Sequence, residues 1–262
     1  MNFVALTIFP EMFTPLFEHG IIRKAIEEEK ICASAANIRD YAQGRHHITD
    51  DRPYGGGCGM VLKPEPVFAA VQAAKESMPD ARTVLMSPQG RKFNHNIACE
   101  LAELEGLIFV CGRYEGVDER ICHTLIDDEL SVGDYILTGG ELAAMSIIDA
   151  VTRLIPGVLG GDESAEKDSF SSGLLEHAHY TRPRSYADMD VPEVLFSGNH
   201  KEIDKWRLQS SLIRTFLKRK DLFIDRRLDP DEVKILKQWC VEIEEIIQAQ
   251  SISGADTPSC SQ

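Results

Sequence analysis

Three loops that contain glycine follow short apolar runs of the chain, and loops of this kind can bind a ligand through the main chain. The runs, each with the loop that follows it, are 83–86 with 87–90, 107–110 with 111–116, and 134–137 with 138–140. Because glycine has no Cβ atom, a ligand can come close to the main-chain amides and carbonyls of these loops. The three loops are therefore the first candidate binding site, although their spacing identifies no particular ligand.

Charged side chains near these loops could transfer a proton or orient a substrate. Glu115 lies in the second loop, and Asp118 follows it at a place where acidic residues also favour the first turn of a helix. Arg153 follows Asp149 by four residues, so an ion pair along one helix also explains it. Asp168 lies in an acidic stretch, where a carboxylate is usually solvated. From the residues alone, each of these groups could have either a structural or a catalytic role.

Several common catalytic and metal sites are excluded. The chain contains no P-loop motif, no H-E-x-x-H and no G-x-S-x-G, and its run 54–60 fails the dinucleotide-binding spacing because Leu62 replaces the last glycine. The seven cysteines are widely spaced without a C-x-x-C pair, which argues against a thiolate zinc site and a disulfide framework. His177 and His179 have a spacing suited to metal ligands but lack a third ligand in the sequence, so no metal site is predicted.

The elements that position these residues are typical of an α/β protein. Continuous apolar runs that alternate with helical patterns predict a mainly parallel, buried sheet, whose ligands bind at the carboxyl ends of the strands. The start of the chain is predicted to be the first strand and not a signal peptide. Helix 141–155 is apolar on nearly every side, so we expect it to be buried all round, in the core or at a subunit interface.

Composition indicates a globular protein of a reducing compartment. The 262 residues are 43% hydrophobic and 27% charged, which excludes wholesale disorder. No apolar run reaches the roughly 18 residues of a membrane-spanning helix, so no membrane partner is predicted. Together with the cysteine usage, these features predict a cytoplasmic location.

Changes in composition divide the chain into four predicted parts. Residues 1–159 form the α/β domain, 160–173 a flexible acidic linker, 174–248 a small helical domain and 249–262 a disordered tail. The net charge of the chain is −14, yet the stretch 201–227 carries nine Lys and Arg against four Asp and Glu, a net charge of +5. A solvated helix face explains such a stretch, and contact with phosphate groups is the alternative.

A set of longer motifs gives the sequence a specific resemblance. In chain order they are FPEMF at 9–13, DRPYGGG at 51–57, SPQG at 87–90, CGRYEGVDER at 111–120, GDY at 133–135, LTGGE at 137–141, DSF at 168–170 and YTRP at 180–183. Through these motifs the chain resembles the TrmD family of bacterial tRNA (guanine-N1)-methyltransferases, which belongs to the SPOUT class, from its first strand to about residue 245.

The resemblance implies a trefoil-knotted α/β domain and a homodimer whose active sites are built across the interface. It implies the methyl donor S-adenosyl-L-methionine, bound among the three loops, and transfer of its methyl group to N1 of guanosine 37 of tRNA, next to the anticodon. The residues implied to bind the donor are Leu85, Met86, Pro88, Gly112, Tyr114, Glu115, Gly116, Val132, Gly133, Asp134, Tyr135, Ile136, Leu137, Gly139 and Gly140.

The resemblance also implies roles in the chemistry and in tRNA binding. Asp168 matches the general base that removes the N1 proton, and Arg153 matches the residue that orients this carboxylate and stabilises charge on the guanine O6. Glu115 is the third catalytic candidate. Gly57, Gly59 and Arg113 are implied to contact the substrate, and the helical domain to grip the anticodon stem-loop. Mg2+ is implied as an additional cofactor, with Glu115 and Asp168 as candidate ligands.

One position departs from the family pattern, and two alternative functions stay open. Cys58 replaces the usual proline of the glycine-rich loop, which removes a fixed φ angle and should loosen that loop. The alternatives are a SPOUT-type enzyme that acts on another RNA, and an RNA- or donor-binding module without catalysis. The presence of Asp168, Arg153 and Glu115 argues against the binding module.

Overall fold

The computed structural model describes residues 1–160, 168–224 and 226–253 and divides the chain into two compact units, Met1–Ala165 and Glu166–Gln262. The division falls inside the stretch 160–173 that the sequence predicts as a linker. Residues 161–167, half of that linker, and the tail residues 254–262 lie outside the described residues.

The first unit is built on a parallel sheet of five strands. The unit contains seven strands in all: β1 (Asn2–Thr7), β2 (Cys32–Asn37), β3 (Asp50–Asp51), β4 (Val61–Leu62), β5 (Arg82–Lys92), β6 (Gly106–Cys111) and β7 (Asp128–Ser131). The order in the main sheet is β2-β1-β6-β5-β7 with every pairing parallel, while β3 and β4 form a separate antiparallel pair. The predicted α/β class and the mainly parallel sheet are confirmed.

Helices cover both faces of this sheet. They are α1 (Thr14–Glu18), α2 (Gly20–Glu27), α3 (Pro64–Ser77), α4 (His95–Ala102), α5 (Glu119–Leu125) and α6 (Glu141–Thr152). Helix α6 packs in one apolar cluster with Phe109 of β6, and α3 packs in a second cluster with Ile108 on the opposite face. Since both faces are covered, all six residues of β6 are buried, which accounts for its continuous apolar sequence.

Two helices begin at side-chain caps that the sequence supplies. The Asn94 side chain accepts a hydrogen bond from the Ile97 amide at 3.1 Å, and Asp118 accepts one from the Arg120 amide at 3.0 Å. Such caps satisfy amides that the first turn of a helix leaves without partners. The structural interpretation of Asp118, as the start of a helix, is thus correct.

The third predicted strand is wrong. Residues 134–137 form no strand, and Ile136 is 81% exposed, whereas the strand is β7, Asp128–Ser131. The sequence does not predict β7, because Asp128 and Glu129 are polar and only Leu130 is apolar. The predicted loop 87–90 lies within β5, where Met86 and Arg91 both align with Leu130 and the four residues between them bulge from the ladder.

Helix α6 is not buried all round within the described chain. The face with Ala144, Ile147, Ile148 and Val151 is buried, whereas Leu142 is 51% exposed. The expectation of burial in the core of one chain is therefore wrong for this face, and the alternative of burial at a subunit interface stays a prediction.

The second unit is mainly helical. It contains a short hairpin of β8 (Ser185–Tyr186) and β9 (Met189–Asp190), followed by α7 (His200–Lys218) and α8 (Pro230–Ser253). Its core joins Leu174, Leu212 and Ile235. Because α8 continues to Ser253, residues 249–253 are helical and not part of a disordered tail. Among the described residues, no helix combines the length and the apolar character needed to cross a membrane.

Candidate active site

The three loops singled out in the sequence surround one cavity at the carboxyl ends of β5, β6 and β7. Its volume is about 320 Å³. Its lining comprises Met86, Ser87, Pro88, Gly112, Arg113, Tyr114, Glu115, Gly116, Leu130, Ser131, Val132, Gly133, Tyr135, Ile136, Leu137, Thr138, Gly139, Gly140 and Ala143. A cavity at this edge is where a parallel sheet usually holds its ligand.

Two of the residues predicted to bind the donor do not line this cavity, and all the others do. Leu85 is buried in the apolar cluster on the other face of the sheet from Met86, because successive residues of a strand point to opposite faces. Asp134 is exposed and forms an ion pair with Lys92 at 2.5 Å.

The second and third loops are locked together at Gly140. Its amide donates a hydrogen bond to the Gly112 carbonyl at 2.9 Å. A Cβ atom at this position would lie 2.9 Å from the Cα of Cys111 and from the Cβ of Met86, closer than such atoms normally approach. Glycine is therefore required at position 140, because the third loop passes close to Cys111 of β6 and Met86 of β5. The cavity wall depends on this close packing.

A buried ion pair lies beneath the third loop. Oε1 of Glu141 accepts hydrogen bonds from Thr7 Oγ1 at 2.7 Å and from Arg113 Nε at 3.0 Å. The same guanidinium donates to the Thr138 carbonyl at 3.3 Å and stacks over the Phe9 ring at 4.6 Å. Arg113, predicted to contact substrate, thus lines the cavity while its guanidinium holds the loops. Sequence analysis missed Glu141, because an acidic residue in a first helical turn gives no sign of burial.

The glycine-rich loop that contains Cys58 packs against the second loop of the cavity. The Glu115 amide donates to the Met60 carbonyl at 3.0 Å, and a Cβ on Gly59 would collide with the Glu115 side chain. The structure thus brings Gly59 and Glu115 together. Gly57 lies farther along the same exposed loop, where a Cβ would have only a Pro53 atom within 4 Å.

Tyr114 has a main-chain conformation that is rare for its residue type. Its φ is +58°, in the left-handed region that a residue with a bulky side chain seldom adopts. The residue lies in the second loop, and its half-exposed ring lines the cavity. Strained residues of this kind concentrate at binding sites, where the surrounding structure holds them in place.

Two titratable groups near the cavity have shifted pKa values. Burial raises the pKa of the Cys111 thiol well above its usual range, so this cysteine stays neutral and packs in the apolar core beside the second loop. Hydrogen bonds from Arg120 lower the pKa of Asp118, which keeps the capping carboxylate ionised. Neither group is suited to act as a general base at neutral pH.

The two remaining catalytic candidates belong to different units. Arg153 follows the last turn of α6, where its amide donates to the Asp149 carbonyl at 3.2 Å. Asp168 opens a turn of the second unit, and its carbonyl accepts from the Ser171 amide at 3.3 Å and the Ser171 hydroxyl at 2.6 Å. The sequence places Asp168 on a mobile linker, whereas the structure places it in a hydrogen-bonded turn.

Comparison with known proteins identifies the family. A family model described as "tRNA (Guanine-1)-methyltransferase TrmD" matches residues 1–225. A tRNA (guanine-N(1)-)-methyltransferase of Desulfatibacillum aliphaticivorans is 54% identical over 259 residues, covering 99% of both chains. The protein of that name from Bacillus cereus is 55% identical over 239 residues, covering 91% of this chain and 98% of its own.

A solved structure agrees with these relatives. The crystal structure of tRNA (m1G37) methyltransferase from Aquifex aeolicus superposes with a TM-score of 0.70 at 40% identity, covering 85% of this chain and 94% of its own. The family match spans the first unit and more than half of the second. The chain therefore belongs to the TrmD family of tRNA (guanine-N1)-methyltransferases.

Proposed function

We propose that this methyltransferase transfers the methyl group of S-adenosylmethionine to N1 of guanosine 37 in tRNA, with the donor held in the cavity of the first unit. The observation that carries the proposal is the cavity itself, which is formed by the three loops that contain the family motifs. The relative from Aquifex aeolicus is described as acting at this tRNA position.

The lining of the cavity fits a donor with an aromatic ring and several polar groups. Met86, Leu130 and Ala143 supply apolar contacts, and the glycines among the lining residues let a ligand approach main-chain amides and carbonyls. When bound, the donor supplies an electrophilic methyl group on a sulfonium. The chain contributes by holding that methyl group in line with the acceptor nitrogen.

The acceptor nitrogen must lose a proton before it can attack. N1 of guanine carries hydrogen and is a poor nucleophile until a base removes it. In our proposal the Asp168 carboxylate takes this proton, while Arg153 orients the carboxylate and stabilises negative charge on O6. Glu115 lines the donor cavity, and we assign it to positioning of the bound groups.

Exposed apolar residues beside the cavity support a homodimer. Tyr135 is 58% exposed and Ile136 81%, and both also line the cavity. Leu142 on the open face of α6 is half exposed. Exposed apolar side chains of this kind are typical of an interface, and a second copy that covers Tyr135 and Ile136 would complete the cavity wall. We propose the knotted topology of the SPOUT class and a cytoplasmic location because of the family and its tRNA substrate.

Mg2+ has no evident binding site in the part of the chain that the structure describes. This ion prefers oxygen ligands in octahedral geometry. Within residues 1–160, 168–224 and 226–253, no three carboxylates come together, because the one group of three candidate ligands contains two histidines.

The test compares labelled methyl transfer to a tRNA transcript with G37 and to one with A37 in its place. The variants are Asp168→Asn and, as a matched control, Asp188→Asn, whose residue is exposed and has a φ of +58° that asparagine tolerates. We expect wild type and Asp188→Asn to label only G37. Loss of a general base should slow Asp168→Asn by a factor of roughly 10² to 10⁴ without loss of donor binding.

Each other outcome contradicts a separate part of the proposal. Equal rates for Asp168→Asn and wild type would exclude Asp168 as the base. Label in the A37 transcript would exclude guanosine 37 as the only target. Donor binding without label in either transcript would favour an enzyme for another RNA or a binding module.

A further inference from the structure

We propose that Glu176, His177 and His179 form a binding site for a divalent transition-metal ion, with Zn2+ as its physiological occupant. Each residue offers one ligand atom, and the three atoms lie within 4.8 Å of one another. Glu176 is the third ligand that the sequence spacing of the two histidines did not reveal. The site belongs entirely to the second unit and is independent of the proposed methyl transfer.

The distances suit a zinc ion after small side-chain movements. Nε2 of His179 lies 2.9 Å from Oε1 of Glu176, and the centroids of the two imidazole rings are 4.5 Å apart. With zinc bonds of about 2.0 to 2.2 Å, tetrahedral ligand atoms are separated by roughly 3.3 to 3.6 Å. The carboxylate and the His179 ring need to separate by about 0.4 to 0.7 Å, and ligand atoms as far apart as 4.8 Å need to approach by a little more than 1 Å, which side-chain rotation can supply.

The hydrogen-bond partner of His177 favours the tautomer that a metal requires. Its Nδ1 lies 3.1 Å from the Ala178 carbonyl, which can only accept a hydrogen bond. Nδ1 must therefore carry the proton when the ring is neutral, and the lone pair resides on Nε2. A histidine whose second nitrogen donates to a carbonyl is the usual arrangement around bound metals, because the hydrogen bond fixes the orientation of the ring.

Hydroxyl groups hold the main chain that presents the three ligands. The Leu175 amide donates to Thr215 Oγ1 at 2.9 Å, and the Ala178 amide donates to Ser210 Oγ at 3.0 Å. Both hydroxyls belong to α7. Since these bonds bracket Glu176 and His177, the main chain at the site is fixed before any ion binds, which lowers the conformational entropy lost on binding.

The ligand types favour a transition metal over Mg2+ or Ca2+. Two imidazoles and a carboxylate suit zinc and related transition metals, whereas Mg2+ and Ca2+ prefer sites made of oxygen alone. The His179 side chain is 64% exposed and that of Glu176 29%. With three protein ligands and this access to solvent, a fourth position is open to water, so we expect an exchangeable ion and not a closed structural site.

The experiment uses the full chain, freed of metal by chelation, and measures Zn2+ binding by calorimetry. The test variants are His177→Gln and His179→Gln, which keep hydrogen-bonding capacity but remove a good metal ligand. The matched control is His123→Gln, since His123 and Glu119 form an exposed pair at 3.6 Å without a second histidine. We expect one Zn2+ per chain in wild type and in the control, and at least tenfold weaker binding in both test variants.

Co2+ provides a second readout that distinguishes the ligands. Cobalt bound at this site should quench the fluorescence of Trp206, whose ring lies 6.3 Å from that of His177. The cobalt spectrum should contain d–d bands without an intense thiolate charge-transfer band. The proposal is overturned if wild type binds no Zn2+, if the histidine variants bind as tightly as wild type, or if a thiolate band places the ion on cysteines.

Discussion

The carboxylate of Glu141 lies beneath the cavity with 1% of its surface exposed, and its position explains why Arg113 does not extend into solvent. Thr7 and Arg113 both donate to Oε1, and within the described chain Oε2 has no hydrogen-bond partner. A buried charge of this kind is tolerated only when it is paired. Glu141 therefore acts as a positioning residue that holds the guanidinium of Arg113 against the third loop.

Replacing Glu141 with glutamine should destabilise the protein by about 1 to 3 kcal/mol, because the partly buried guanidinium of Arg113 loses its counter-charge while keeping a neutral acceptor. Unfolding in urea measures the change. The matched control is Glu27→Gln, which removes a carboxylate that accepts from Arg23 at 2.7 Å but is more than half exposed. The control should change stability by less than about 0.5 kcal/mol. Equal losses in the two variants would refute the assigned role.

Elements with a strong local pattern could be predicted from the sequence, and those defined by partners distant in the chain could not. Strand β6 is apolar throughout because it is central, and the start of α5 is fixed by Asp118. Strand β7 has only one buried apolar side chain, so its identity depends on pairing with β5. Tyr135, Ile136 and Leu137 are aromatic or branched side chains, which favour a strand in isolation, yet they line the cavity and form no strand. The loops around the cavity could be predicted from their glycines and from the family motifs. The buried position of Glu141 could be seen only in the tertiary structure.

A charged network ties α4 to the sheet and makes a definite prediction about pH. Glu100 of α4 contacts Arg91 at 2.9 Å and Arg82 at 2.5 Å, both from β5, and Arg91 also contacts Asp128 of β7. Hydrogen bonds from Arg91, and next from Arg82, lower the pKa of Glu100 to about 2. Because the folded pKa is depressed, the stabilisation is fully present above the unfolded value near 4.5 and is lost as pH falls toward 2.

We expect Glu100→Gln to be less stable than wild type at pH 7 by no more than about 1 kcal/mol, since the Glu100 side chain is 42% exposed and solvent screens the pair. The difference should shrink as pH falls from about 5 to about 2, because the unfolded pKa is near 4.5 and the folded pKa is about 2. Urea unfolding at several pH values measures it, with Glu103→Gln as the control on an exposed neighbour of α4. A difference that stays constant with pH would contradict the assignment.

The charge of the whole chain and the charge of the stretch 201–227 point to different partners. A net charge of −14 disfavours nucleic acid in general, so tRNA affinity must come from local cations. The structure shows that part of the basic stretch is already neutralised, because Arg207, Arg219 and Arg226 form ion pairs with Asp204, Asp221 and Glu232. Lys201 and Lys205 of α7 are exposed and form no ion pair with the described residues, which makes them the better candidates for phosphate contact.

Replacing Lys201 and Lys205 together by glutamine should therefore weaken tRNA binding and also reduce its dependence on salt. Each lost phosphate contact lowers the slope of log affinity against log salt by about 0.7 to 0.9, so the double variant should lose between about 1 and 2 units of slope. The control is Lys24→Gln, which removes an exposed lysine of the first unit already paired with Glu28 at 3.6 Å. Binding titrations from low to high salt measure both quantities. If the double variant and the control both have the salt dependence of wild type, the tRNA affinity arises elsewhere on the chain. If the salt dependence decreases in the double variant alone, this acidic protein binds tRNA through the lysines of α7.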